Sequence, residues 1–136
     1  MTPGSLIAGQ AELRLLGVAA LIGLLQLCWA ATVSQRQRGF AWASGSRDEP
    51  RQIHGLAARL QRAMANFLET FPIFAAAVLA AVMLGRTDGT TLAGAWLYVI
   101  ARAIYVPLYA AGIPVVRSLA WFAGVIGIVL ELVALL

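Results

Sequence analysis

Four long apolar stretches separated by polar segments dominate the chain. The first lies at about residues 13–33 and is interrupted only by Arg14 and Gln26. It is longer than a signal-peptide core, so we expect it to be retained as a span. Since a membrane-spanning helix needs about 20 mainly apolar residues, each stretch can cross a bilayer. The pattern predicts an all-α membrane protein, one four-helix transmembrane domain over residues 1–136, with the other spans at about 55–84, 91–111 and 115–135.

The connections between these stretches differ in length. Residues 34–54 form one substantial hydrophilic loop, whereas Gly85 to Gly89 and Gly112 to Pro114 are short turns. Short turns make the second, third and fourth helices antiparallel neighbours. Thr90 or Thr91 is the expected N-terminal cap of the third helix.

Composition supports the membrane assignment. Hydrophobic residues make up 61% of the chain and charged residues 12%, whereas a soluble domain carries about 25% charged residues. The composition therefore excludes an ordinary soluble domain, because the missing polar surface must face lipid.

The net charge of +4 comes from ten arginines and no lysine. These charges lie near the ends of the apolar stretches and form no exposed basic face, which disfavours nucleic-acid binding. The single Cys28 and single His54 exclude a Cys/His zinc site within one subunit, and we expect no metal.

The arginines also predict the orientation of the spans. The first loop is rich in arginine and the third has Arg117 close by, whereas the opposite side offers Arg14 and Arg86. Because cytoplasmic loops carry the excess of basic residues, loop 34–54 is predicted to be cytoplasmic and both termini to lie outside. The arginines of the first loop are Arg36, Arg38, Arg47 and Arg51.

Polar residues follow one face of the second helix and one face of the third. At about 100° per residue, the second-helix set falls within roughly 80° and the third-helix set within roughly 60°. The predicted topology brings both stripes to the cytoplasmic half of the bundle, near Arg117 and Ser118. The stripes are Arg59, Arg62, Asn66 and Glu69, and Tyr98, Arg102, Tyr105 and Tyr109.

Such residues are costly inside a membrane, so they are the strongest indication of function. They could simply satisfy one another, with Glu69 pairing with Arg62 or Arg102 and the outer arginines reaching lipid headgroups. However, the inner residues of this group contain three arginines and one carboxylate, which leaves a charge of +2. This cluster comprises Arg62, Asn66, Glu69, Arg102, Tyr105, Tyr109 and Arg117. A buried cluster of this kind predicts an anionic partner, either a lipid phosphate or a small carboxylate ligand.

Three further residues carry weaker indications. Glu12 and Glu131 are expected at the outer interface as solvated or paired charges, because each lies near the end of a span. Trp121 lies one turn beyond Arg117, so it either belongs to an interfacial aromatic belt or lines the site.

The polar residues occur in a recognisable order. The run from Arg62 through Asn66 and Glu69 to Pro72, followed by Arg102, Tyr105 and Tyr109 and then by Arg117-Ser118, resembles the family of membrane-associated proteins in eicosanoid and glutathione metabolism. The resemblance covers about the last 75 residues and is strongest to the short bacterial branch. It implies a homotrimer of four-helix protomers, in the bacterial inner membrane, with glutathione as co-substrate between adjacent subunits.

The resemblance also implies roles for individual residues. Arg62, Asn66, Glu69, Tyr105 and Tyr109 match glutathione-contacting positions, with Glu69 taking the peptide ammonium and the arginines, which include Arg102, taking its carboxylates. Arg117 matches an arginine beside the thiol, and Ser118 a hydroxyl proposed to contact the same sulfur. Arg38 and Arg36 compete to match a further arginine at the end of the first helix. Ala65 and Trp121 stand where some members carry Arg and Tyr.

Three functions are consistent with these observations. The leading one is a glutathione-dependent transferase or peroxidase acting on small lipophilic electrophiles, with Arg117 and Ser118 as its catalytic residues. The alternative is a non-catalytic lipid- or thiol-binding membrane protein of the same fold. A small proton-coupled exporter is disfavoured, because that mechanism needs an acidic residue free to exchange its proton for a cation, and Glu69 lies among arginines.

Overall fold

The fold was analysed in a computed structural model, which describes residues 8–136. The first seven residues of the predicted domain therefore lie outside the described range. Five helices make up the described chain: α1 (Gln10–Arg38), α2 (Phe40–Ser44), α3 (Gly55–Met83), α4 (Gly89–Ala110) and α5 (Pro114–Val133).

Within the described residues, four helices are long and apolar enough to cross a membrane, namely α1, α3, α4 and α5. The predicted all-α fold with four membrane-spanning helices is confirmed. The helices are not coextensive with the apolar stretches. The first helix continues through a polar last turn to Arg38. This turn carries Arg36 and Arg38, and positive charges stabilise the C-terminus of a helix. The short helix α2 lies within the predicted loop 34–54.

The start of α4 differs from the prediction. Asp88, and neither Thr90 nor Thr91, is the N-cap. Its carboxylate accepts hydrogen bonds from the backbone N–H groups of Thr90 (2.8 Å) and Thr91 (3.0 Å). The Thr91 hydroxyl accepts in turn from the Asp88 N–H at 2.9 Å, which completes a capping box. An aspartate three residues before a threonine forms this reciprocal pair, so the helix begins at Gly89, two residues before the predicted start.

Helix α4 packs against all three of the other long helices. Its closest approach is to α5, at Gly94 and Gly127. A Cβ atom added to Gly127 would lie 2.6 Å from the Gly94 carbonyl oxygen, closer than real Cβ contacts permit. The absence of a side chain at Gly94 and at Gly127 therefore permits the close α4–α5 contact.

The apolar core lies where α1, α3 and α5 meet α4. Tyr98 of α4 is fully buried and stacks on Phe74 of α3, with ring centroids 4.0 Å apart. Its hydroxyl is 3.0 Å from the Thr70 hydroxyl, so the polar end of the ring is satisfied inside the bundle. Tyr98 is thus a core residue, although it shares the polar stripe of α4.

Candidate functional site

The polar stripes of α3 and α4 meet at one end of the bundle. Helix α3 begins at this end, α4 ends there, and α5 begins after a short turn. Arg59 Nε donates a hydrogen bond of 3.0 Å to the Ala110 carbonyl, which ties the start of α3 to the end of α4. The start of α3 and the end of α4, which carry predicted site residues, are therefore neighbours.

Arg102 is the deepest polar residue of the site, with only 1% of its surface exposed. Its Nη1 donates to Asn66 Oδ1 at 2.8 Å. Its guanidinium lies 4.2 Å from the Tyr105 ring centroid and 5.5 Å from that of Phe67. Nε and Nη2 are buried and have no hydrogen-bond partner in the described part of the chain. The arginine is held by an amide and two aromatic faces, with no carboxylate among these contacts.

Tyr109 connects two further arginines. Arg62 Nε donates to the Tyr109 hydroxyl at 3.1 Å, and the Arg117 guanidinium lies 4.5 Å from the centroid of the same ring. Tyr105 packs edge-on against Tyr109 at 5.5 Å. Arg102, Arg117 and Arg62 thus surround two tyrosine rings, whose faces attract cations.

A cavity of about 330 Å³ opens beside these residues. Its lining includes both polar groups and aromatic rings. The lining residues are Asn66, Tyr105, Tyr109, Arg117, Ser118, Trp121 and Phe122. The cavity therefore combines hydrogen-bond donors and positive charge with an apolar surface, which suits an anionic ligand with an apolar reaction partner.

The sequence model of the MAPEG family, the membrane-associated proteins in eicosanoid and glutathione metabolism, matches residues 15–136 of the chain. The chain belongs to the MAPEG family. No curated protein and no solved structure matches the chain. The match extends the sequence resemblance to nearly the whole chain, including α1. As a MAPEG protein with four membrane-spanning helices, it is an integral multi-pass membrane protein surrounded by lipid.

The structure of this MAPEG protein brings together most of the predicted site residues. Asn66, Tyr105, Tyr109, Arg117 and Ser118 line the cavity. Arg102 and Arg62 do not line the cavity themselves but donate hydrogen bonds to two lining residues, Asn66 and Tyr109 respectively.

Two predicted site residues, Glu69 and Arg38, are not among the residues that line the cavity. Glu69 is exposed on α3. Arg38 is at the end of α1, where its Nε donates to the Arg51 carbonyl at 2.9 Å and its guanidinium stacks on Trp42 at 5.1 Å. Their roles in binding stay predictions.

Aromatic residues are the part of the site that sequence analysis missed. Phe67 lies under the Arg102 guanidinium, and Phe122 lines the cavity. Phe122 follows Ser118 by four residues, and this helical spacing could have placed both on one face. Trp121 had two possible positions, and the structure places it in the cavity lining.

The expectation for the two glutamates near the ends of the spans is wrong. Glu12 and Glu131 are 5% and 0% exposed. Glu12 accepts a hydrogen bond of 2.8 Å from the Thr91 hydroxyl, and Glu131 is enclosed by the close contact of α4 and α5 at Gly94. This cluster lies at the end of the bundle opposite to the arginines.

Proposed function

We propose that this MAPEG protein is a glutathione-dependent transferase or peroxidase that acts on lipophilic electrophiles. The observation that carries the proposal is the buried, incompletely paired Arg102 next to a cavity lined by Arg117. Buried cations without counter-ions are unfavourable, and an anionic ligand would compensate for them. Glutathione offers two carboxylates together with a nucleophilic thiol.

The residues around the cavity fit the polar groups of glutathione. Arg62 and Arg102 can donate charge-assisted hydrogen bonds to carboxylates, and Asn66 and the tyrosine hydroxyls can orient the peptide backbone. The peptide ammonium needs a carboxylate, which Glu69 supplies only if it faces the ligand from an adjacent subunit. Arg38 is proposed to complete the site in the same way.

The reaction follows from the position of Arg117. A free thiol with a pKa near 8.5 is mostly protonated at neutral pH, and an adjacent guanidinium favours the thiolate. The thiol proton would pass to water, and the thiolate sulfur would then bond to the reactive carbon of an electrophile that enters from the bilayer beside Trp121 and Phe122, as the leaving group departs with its electron pair. Ser118 is the second candidate contact of the sulfur.

Thiolate formation tests this function. The ultraviolet absorbance of the thiolate should appear at neutral pH when glutathione is added to the detergent-purified protein. Arg117→Gln should lose most of this absorbance, whereas Arg86→Gln, an exposed arginine in the turn before α4, should keep it. Binding of glutathione without any thiolate signal in the wild-type protein would contradict the catalytic role of Arg117.

The second candidate function is binding of a lipid or thiol without chemistry. Ser118 favours it, because its hydroxyl donates to the Pro114 carbonyl at 3.0 Å and must break this bond before it can donate to a sulfur. Turnover separates the two functions. A glutathione or phospholipid molecule retained through purification, with no conjugation across a panel of electrophiles, would favour the binding protein.

We further propose that the protein is a homotrimer in the bacterial inner membrane. Arg62, Arg102 and Arg117, here called the arginine cluster, would lie on the cytoplasmic side and both termini outside. A cysteine placed at Ser46 of loop 34–54, in a Cys28→Ala background, tests the orientation. It should resist an impermeant maleimide in intact cells and react after the cells are lysed. Labelling in intact cells would contradict this orientation and place the loop outside the cell.

A further inference from the structure

Glu131 is a carboxyl group buried without a partner. None of its surface is exposed, and neither carboxylate oxygen has a hydrogen-bond partner among residues 8–136. Its backbone nitrogen would lie 3.4 Å from a Cβ atom on Gly94, so the residue sits where α4 and α5 approach most closely. A charged carboxylate in such surroundings is strongly disfavoured, because it has lost water and gained nothing in return.

The neighbouring charges make an ionised Glu131 less favourable still. Glu12 of α1 is 5% exposed and accepts a hydrogen bond from Thr91, and Asp88 caps α4. The charges acting on the Glu131 carboxyl group are those of Glu12 and Asp88, and both are negative.

No basic residue at this end of the bundle is buried among the described residues. Arg14 and Arg86, the arginines at this end of the bundle, are exposed. On α3, the segment that lines a cavity together with the end of α5 is uncharged, and it comprises Pro72, Ile73, Ala76, Ala77 and Ala80. The surroundings of Glu131 therefore contain two acidic groups and no buried cation among the described residues.

We propose that Glu131 is a buried proton-binding site at the end of the bundle opposite to the arginine cluster. A proton is the one cation that needs neither a cavity nor a set of ligands. A Glu12 oxygen accepts a hydrogen bond of 2.8 Å from the Thr91 hydroxyl, whereas neither oxygen of Glu131 has a partner among the described residues. The proton is therefore placed on Glu131.

A cavity lies beside Glu12 at the same end of the bundle. It has a volume of about 530 Å³, and Arg14 and Trp96 also line it, on the surface shared by α1 and α4. Through this cavity Glu12 is accessible from the end of the bundle opposite to the arginine cluster.

Proton binding is linked to folding. The native protein holds a proton that the unfolded chain, with an ordinary glutamic acid, releases at neutral pH. The contribution of Glu131 to stability is therefore greatest in acid and falls as the pH rises, because the native state binds more protons than the unfolded state. Loss of the proton would leave an unpaired negative charge between the helices and loosen this end of the bundle.

Infrared spectroscopy of the full-length protein in lipid vesicles tests the proposal. The wild-type protein at neutral pH should show the carbonyl band of a protonated carboxylic acid. Glu131→Gln should lose the band, and Glu12→Gln should retain it. Glu49→Gln, the same change at an exposed loop residue, should also retain it. Absence of the band from the wild-type protein, or its persistence in Glu131→Gln, would overturn the proposal.

Thermal unfolding provides a second measurement, which needs only a folded wild-type protein. The wild-type midpoint should fall between pH 5 and pH 9 as the infrared band disappears. Glu131→Gln should remove most of this pH dependence, and Glu49→Gln should leave it unchanged. A midpoint that stays constant or rises while the wild-type band is lost would overturn the link between the proton and helix packing.

Discussion

At the scale of single residues, Arg102 is the most informative side chain of the site. It is held by the Asn66 amide and by the faces of Tyr105 and Phe67, and two of its nitrogens have no partner in the described chain. An apolar side chain of similar volume would be easier to bury here, since it needs no counter-ion. Its surroundings therefore indicate a binding role more than a stabilising one.

Replacement of Arg102 separates these roles. Arg102→Met should leave the thermal midpoint of the ligand-free protein unchanged or raise it, because it removes an unbalanced buried charge. It should abolish the rise in midpoint that glutathione gives the wild-type protein. Arg59→Met is the matched control, which should lower the ligand-free midpoint through loss of its bond to Ala110. It should keep the glutathione-induced rise, and an equal rise in Arg102→Met would refute the binding role.

At the scale of elements, the contact of α4 with α5 organises both ends of the bundle. Gly94 and Gly127 let the two helices approach so closely that a Cβ atom on either would meet the carbonyl oxygen of the other, at 2.7 Å for Gly94. One end of this helix pair carries Tyr105, Tyr109 and Arg117, and the other carries Thr91 and Glu131. The position of every group on α5 relative to α4 therefore depends on this contact.

A methyl group tests the importance of the contact. Gly127→Ala should destabilise the protein by about 1–3 kcal/mol, since a rigid backbone atom must move to admit the side chain. Gly17→Ala is the matched control, because no atom lies within 4 Å of the added Cβ. It should have a neutral or slightly stabilising effect, as alanine favours a helix. Equal thermal midpoints for the two variants would contradict the account of α4–α5 packing.

Hydropathy predicts the helices well, because lipid requires each span to be apolar whatever its neighbours are. Side-chain partners are different. The polar stripes correctly predict that Arg62, Glu69 and Arg102 lie towards one end of the bundle. Residue spacing does not predict that Arg102 donates to Asn66 and Arg62 to Tyr109. The burial of Glu131 depends on the approach of α4 at Gly94, a tertiary contact that a span-end pattern does not contain.

At the scale of the whole molecule, one face of α3 is incompatible with lipid. Glu69 is exposed there beside Leu68, which is 55% exposed. It lies roughly 21 Å along the helix from Gly55, at about 1.5 Å per residue, and so at membrane depth. A carboxylate facing hydrocarbon is unfavourable by about 2.5–3.5 kcal/mol or more. We therefore propose that further copies of the chain cover this face.

Native mass spectrometry from detergent tests this assembly and should give a trimer. Glu69→Arg should convert trimers to smaller species, because it places a fourth positive charge among Arg62, Arg102 and Arg117 and removes the carboxylate. Glu49→Arg, which makes the same charge change in the exposed loop, should leave the trimer intact. A monomeric wild-type protein would contradict the proposal that the site is shared between subunits.

The central claim is that the arginine cluster binds glutathione, and calorimetric titration of the purified protein tests it most directly. The wild-type protein should bind glutathione, and Arg62→Ala should weaken binding about 10- to 100-fold through loss of a charge-assisted hydrogen bond. Arg86→Ala, at the opposite end of the bundle, should bind as tightly as the wild-type protein. No heat from the wild-type protein at millimolar glutathione, or equal affinities for wild type and Arg62→Ala, would contradict the claim.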